Sequence, residues 1–250
     1  MNFGRWIKSA RKWSSRSAVA VFGELAGGGV CHGTGFLVDF RGTPLVLTCW
    51  HVVDPIAGVI FLSSSRRSYQ RDGVVDVIAY SQTLDLAVLR PNHAFSRGQK
   101  TFYPMSRCIL GGVDPDTSVV LHGFPTGHPS VQRGRIVDFQ NRTVTFRSLT
   151  YLSVTDQPDF NRTTRRRTPT IYWRQDENVS GKTFRSLGRS RRDPFVMPGC
   201  SGGPVFEGAS GRLIGHATHI DQRQNRRIYY TPIDDSLRFL DSVIDPAVIP

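Results

Sequence analysis

Apolar residues recur along most of this chain in short blocks broken by glycine, proline and acidic turn residues. The blocks "SAVAVFGEL" (residues 17–25), "GFLVDF" (35–40), "PLVLTCWHVV" (44–53), "VVDVIAY" (74–80), "DLAVLR" (85–90) and "SVVLHGF" (118–124) follow at short intervals. "RIVDFQNRTVTFRSL" (135–149), "RLIGHATHI" (212–220) and "RIYYTPI" (227–233) continue the series. Runs of this kind, bounded by turn signals, predict strands, and many in succession predict an all-β sandwich or barrel. "DDSLRFLDSVI" (234–244) breaks the rhythm. It places Leu237, Leu240, Val243 and Ile244 on one face behind Asp234 or Asp235 as N-cap, so a short terminal helix is expected.

Two stretches depart from strand patterning. Residues 157–194 lack sustained alternation and are dense in arginine, including Arg165, Arg166, Arg167, Arg191 and Arg192, against few acidic residues. A long surface loop or insertion is expected there, with a small hairpin around "TIYWR". Residues 1–16, "MNFGRWIKSARKWSSR", carry Arg5, Lys8, Arg11, Lys12 and Arg16 with Phe3, Trp6, Ile7, Ala10 and Trp13 at helical spacing. They read as a basic amphipathic segment suited to an anionic membrane, as a presequence, or as a basic tail.

Composition narrows the class. With 39% hydrophobic residues, 15 Phe and 4 Trp in 250 residues, the chain can bury a sizeable core, which excludes wholesale disorder. No apolar run approaches the roughly 20 residues that span a bilayer as a helix. The formal charge of +12 favours anionic partners: nucleic acid, acidic lipid or acidic protein segments. Cys31, Cys49, Cys108 and Cys200 show no CxxC spacing, so a structural zinc site is not expected. Cys31 and Cys49 are available to pair if two strands bring them together. The irregular run Cys31, His32, Cys49 and His51 does not suggest a metal either.

Three segments carry candidate chemistry. His51 closes the strand of "LTCWHVV", Asp85 precedes the apolar strand of "TLDLAVLR", and Ser201 sits in "PGCSGGPVF". Serine alone is a poor nucleophile. It needs a base to take its proton, and the base needs an acid to fix its tautomer and stabilise the imidazolium. His, Asp and Ser in this chain order supply those three parts. Asp54 and Asp76 are rival acids, but Asp54 is too close to His51 in sequence and Asp76 lacks the Leu-Ala-Val-Leu context.

Taken with "GTGFLV", "GFPTG…VQRGRIV" and "GRLIGHAT…YYTPIDDSLRFL", these segments make the chain resemble the trypsin-like (chymotrypsin-fold) serine proteases, most like the HtrA/Deg type or viral trypsin-like peptidases. The resemblance covers residues 17–244 except a poorly matched stretch at about 140–194. It implies two antiparallel six-stranded barrels, residues 17–100 and 101–250, with the active site between them. His51, Asp85 and Ser201 would be the triad, and the N–H groups of Gly199 and Ser201, with Cys200 adjacent, the oxyanion hole. Cys200 stands where enzymes activated by cutting carry an Asp, so no zymogen cut of that kind is expected.

Phe195, six residues before the nucleophile, would lie at the pocket floor. Having no acid there, the chain should not favour cleavage after basic residues. Thr218 and His219 would line the same pocket. No cofactor is implied. The implied partner is a protein or peptide substrate, and the PDZ domain usual in the HtrA type is not expected. The alternative from another class is a non-catalytic protein of this fold binding nucleic acid or anionic membrane through its basic stretches.

Overall fold

The computed structural model describes residues 17–64, 71–98, 102–108, 110, 117–124, 130–138, 143–151, 199–220 and 227–244. The segments 1–16 and 157–194, the hairpin around "TIYWR" and Phe195 lie outside the described residues.

Among the described residues thirteen strands alternate with short helices: β1 (Ala18–Glu24), β2 (Val30–Phe40), β3 (Thr43–Thr48), α1 (Trp50–Val53), β4 (Ile60–Ser63), β5 (Gly73–Ser81), β6 (Leu86–Pro91), α2 (His93–Gly98), β7 (Tyr103–Pro104), β8 (Ser118–Gly123), β9 (Ser130–Asp138), β10 (Thr143–Tyr151), β11 (Pro204–Glu207), β12 (Leu213–Ile220), β13 (Arg227–Pro232) and α3 (Ile233–Val243). The N-terminal sheet runs β1-β4-β5-β6-β3-β2-β7, and pairing of β1 with both β4 and β2 returns it on itself. The C-terminal strands form a closed barrel in the order β10-β13-β12-β11-β8-β9. Among the described residues, closure of this second barrel pairs every strand on both sides.

The expectation of six strands in the first sheet is thus exceeded by one. β7 comes from beyond residue 100 and lies parallel to β2, with Val38 opposite Tyr103. It is two residues long, too short to show any alternation. Two short helices, α1 and α2, also interrupt what the sequence pattern reads as strand and loop.

The core explains why the two halves sit together. Phe36, Val38, Leu45, Leu47, Leu86 and Val88 of the first sheet form one buried cluster with Val120, Phe206, Leu213, Ile233 and Leu240 of the second half. A fully buried Leu or Phe contributes roughly 1.5–3 kcal/mol relative to exposure, so this shared cluster is a strong fastening. α3 takes part through Ile233 and Leu240, whereas Val243, expected on the buried face, is exposed. The N-cap of α3 is Pro232, so Asp234 and Asp235 fall in the first turn, where their charge meets the positive end of the helix dipole. Among the described residues no helix is long and apolar enough to cross a membrane.

Candidate active site

Strand pairing brings His51 and Asp85 together. β3 and β6 are antiparallel, with Thr48 opposite Ala87. Moving three residues past Thr48 reaches His51, and moving back two from Ala87 reaches Asp85, at the same end of the pair. α1 turns the chain at this end and presents the His51 ring. The ring Nδ1 lies 2.7 Å from Asp85 Oδ2, and the His51 main-chain N–H donates to Asp85 Oδ1 at 3.0 Å. Both carboxylate oxygens therefore serve one histidine. The imidazole remains 48% exposed, against 23% for the carboxylate, so the ring has a face open to a substrate.

Burial by itself would raise the Asp85 carboxyl. The His51 ring, the His51 N–H and the Cys49 thiol outweigh it and hold Asp85 below its usual range. Asp85 is ionised at neutral pH in consequence. It also adopts φ +48, a left-handed conformation that Asp and Asn accept more readily than most residues. The rival acids are elsewhere: Asp54 is the exposed C-cap of α1, and Asp76 sits opposite Arg90 on β5.

The Cys49 thiol, the His51 imidazole and the Asp85 carboxylate have their ligand atoms within 4.8 Å of one another. Burial first, then the Asp85 charge, pushes the Cys49 thiol well above its usual range. It stays protonated and donates to the Ala217 carbonyl at 3.2 Å. A metal ligand would have to be thiolate, so the set suits hydrogen bonding better than metal binding. Cys31 and Cys49 form no disulfide, and the Cys31 thiol donates instead to the Val52 carbonyl at 3.4 Å.

Ser201 reaches this place through the main chain. The Thr34 N–H donates to the Ser201 carbonyl at 2.8 Å, and the Thr48 hydroxyl donates to the Thr34 carbonyl at 2.7 Å. The Ala217 carbonyl accepts both the Gly202 N–H at 2.7 Å and the Cys49 thiol. Residue 202 follows Ser201, and residue 49 precedes His51 by two. The serine loop and the histidine helix thus share one acceptor atom.

Two glycines make this approach possible. Gly202 has φ +83, and a Cβ there would lie 2.0 Å from the Thr34 carbonyl oxygen and 2.5 Å from the Thr48 hydroxyl. Gly199 has φ +93, and its Cβ would meet the His32 ring and the Phe124 carbonyl, each at 2.9 Å. The glycines at 199 and 202 of the Gly-x-Ser-Gly-Gly pattern are therefore a packing requirement. Gly202→Ala is expected to destabilise the fold by about 2–5 kcal/mol, combining backbone strain with overlap; urea denaturation checks it.

Cys200 is 1% exposed, its thiol against Gly123 of β8, where a Cβ would come within 2.6 Å of the sulfur. Thr218 is buried and donates its hydroxyl to the Tyr229 carbonyl at 3.1 Å. His219 lies on β12 with its side chain outside the described residues. Sequence reasoning did not single out Thr34 or Thr48, and it weighed Cys49 only for a disulfide or a metal, not as a partner of the site. Thr34 and Thr48 did carry a signal, as polar residues set in the strand blocks "GTGFLV" and "PLVLTC", and the structure buries both completely.

A family model described as "Trypsin-like peptidase domain" matches residues 33–215. No curated protein sequence matches the chain. Solved structures of similar shape include the active form of the Rv3671c protease from M. tuberculosis, at TM-score 0.58 and 13% identity, over 98% of this chain and 88% of that one. A serine endoprotease from Yersinia pestis has TM-score 0.61 at 13% identity, over 96% of this chain and 67% of that one. The HtrA-type protease AlgW with a tripeptide has TM-score 0.59 at 16% identity, over 96% of this chain and 64% of that one. At such identities the structures speak for the fold alone.

Proposed function

We infer the chemistry from one premise: the chain belongs to the trypsin-like peptidase family and is a serine endopeptidase acting on protein or peptide substrates. In our reading Ser201 is the nucleophile, His51 the general base and acid, and Asp85 the group that orients His51. Ser201 Oγ attacks the scissile carbonyl while His51 Nε2 takes its proton. Asp85 receives the Nδ1 hydrogen bond and stabilises the imidazolium. The N–H groups of Gly199 and Ser201 donate to the oxyanion, and among the described residues no backbone hydrogen bond uses either. His51 returns the proton to the leaving amine, and water hydrolyses the acyl-enzyme by the same route.

The single observation that carries this reading is the shared Ala217 carbonyl, which ties the residue after Ser201 to the residue two before His51. The ionised Asp85 supports it, since an orienting acid must carry charge where the enzyme works.

Fluorophosphonate labelling tests the assignment. The wild type is expected to take one label on Ser201, and Ser201→Ala to take none. A folded Ser201→Ala variant that still labels would place the nucleophile on another residue.

A further inference from the structure

We propose that Thr34 is a positioning residue that holds the oxyanion-binding turn in its donating conformation, and so sets kcat more than KM. The proposal rests on the assignment of Ser201 given above. Thr34 lies on β2 in the first sheet, whereas the turn it touches precedes β11 in the second barrel.

Thr34 is 0% exposed, and a buried hydroxyl needs partners. Its Oγ1 donates to the Gly199 carbonyl at 2.6 Å and accepts the Phe124 N–H at 2.8 Å. Its own N–H donates to the Ser201 carbonyl. One residue thus binds the carbonyls on both sides of Cys200. The Cys200 carbonyl between them accepts the Gly203 N–H at 2.9 Å. All three carbonyls of the turn are committed.

The consequence follows from peptide geometry. In a trans peptide the C=O and the next N–H point in opposite directions across one plane. Holding the Cys200 carbonyl on Gly203 directs the Ser201 N–H the other way. Holding the Gly199 carbonyl on Thr34 restrains the peptide between residues 199 and 200, whose N–H is that of Cys200, and so holds one side of the ψ rotation of Gly199 that aims the Gly199 N–H. Gly199 has no side chain to resist rotation about that bond. The hydroxyl of Thr34 supplies the restraint that glycine lacks. Donors aimed beforehand at the developing charge need no reorganisation during reaction, which is where their catalytic value lies.

Thr48 completes the support from behind, its hydroxyl donating to the Thr34 carbonyl. Because Thr48 is three residues before His51, the strut is anchored beside the base. The first sheet therefore contributes to charge stabilisation in the second as well as to proton transfer.

The test compares Thr34→Val, which keeps the shape and loses the hydroxyl, with Thr34→Ser, which keeps the hydroxyl. Kinetics are measured on a peptide ester and normalised to sites titrated with fluorophosphonate, so unfolded protein does not count. Removing an oxyanion donor outright costs about 10²–10³ in kcat, and loosening one should cost less. Thr34→Val is expected to lower kcat about 10–100-fold with KM within about threefold, and Thr34→Ser to stay within about threefold of wild type in both. A role confined to stability would lower the titrated fraction and leave kcat per site unchanged, which overturns the proposal. Equal impairment of Ser and Val variants also overturns it. If Thr34→Val does not fold, Thr34→Cys takes its place, its thiol being the weaker donor; kcat per site equal to that of Thr34→Ser would then refute the strut. A wild type that neither hydrolyses the ester nor labels overturns the Ser201 assignment and the role of Thr34 with it. An active wild type with an unaffected Val variant overturns the role of Thr34 alone.

Discussion

Asp85→Asn is expected to lower kcat by about 10⁴-fold while leaving KM and folding nearly unchanged. The backbone should tolerate the change, because Asn accepts the left-handed conformation of residue 85 as readily as Asp. The side chain keeps its size and can still accept the His51 main-chain N–H. What changes is the group facing His51 Nδ1 at 2.7 Å. A carboxylate accepts a hydrogen bond from Nδ1–H there, which keeps the hydrogen on Nδ1 and leaves Nε2 free to act as base. The amide nitrogen of Asn donates instead, which favours the tautomer carrying hydrogen on Nε2. That nitrogen then cannot take the proton of Ser201, and loss of this kind costs about 10⁴ in triads of this geometry. Steady-state kinetics on a peptide ester, with a thermal melt to confirm folding, check it. A loss under tenfold would mean that Asp85 does not orient the base.

Acidification is expected to destabilise the protein, starting well above the range of ordinary carboxylates. His122 on β8 and His216 on β12 are fully buried. Neither ring nitrogen of His122 has a hydrogen-bond partner among the described residues, and the His216 ring has only the Asp85 carbonyl as a weak one. Burial pushes His122 down to about 3. It pushes His216 down to about 4, partly offset by the Asp85 carbonyl and charge and aided by the His51 ring. In the unfolded chain both titrate near 6.5.

Both histidines therefore bind protons more readily unfolded than folded. Their contribution to stability is complete above about pH 6.5 and declines as pH falls, until about pH 4 for His216 and about pH 3 for His122. Each should cost about 1.4 kcal/mol per pH unit within its window. Set against a typical total of about 5–15 kcal/mol, two such groups remove a large share of the stability by about pH 4. Guanidinium midpoints between pH 7 and 4 check the slope. His122→Leu should remove the share belonging to His122, since that ring sits against Phe124 with no hydrogen-bond partner among the described residues. A midpoint flat from pH 6.5 to 4 would contradict the burial argument.

Much of the architecture was legible before any coordinates. The alternating blocks became strands because burial on one sheet face imposes period two on side chains. "DDSLRFLDSVI" became α3 because its apolar residues recur at helical spacing, although Pro232 took the cap position expected of an aspartate. β7 was not legible: two residues carry no pattern, and its pairing with Val38 and Asp39 depends on where β2 already lies. Within the site, His51, Asp85 and Ser201 stood out because their neighbours form recognisable local motifs.

The sequence by itself determined the residue types, the strand succession and the three chemical groups, since those depend on local pattern and short motifs. The tertiary structure alone decided which carbonyl the Thr34 hydroxyl would reach across 165 residues, and that Gly202 and Cys49 would meet on Ala217. It also decided that two histidines would be closed off from water. Such contacts depend on how one sheet docks against the other. Docking is set by the summed packing of a shared core, which no single stretch of chain encodes.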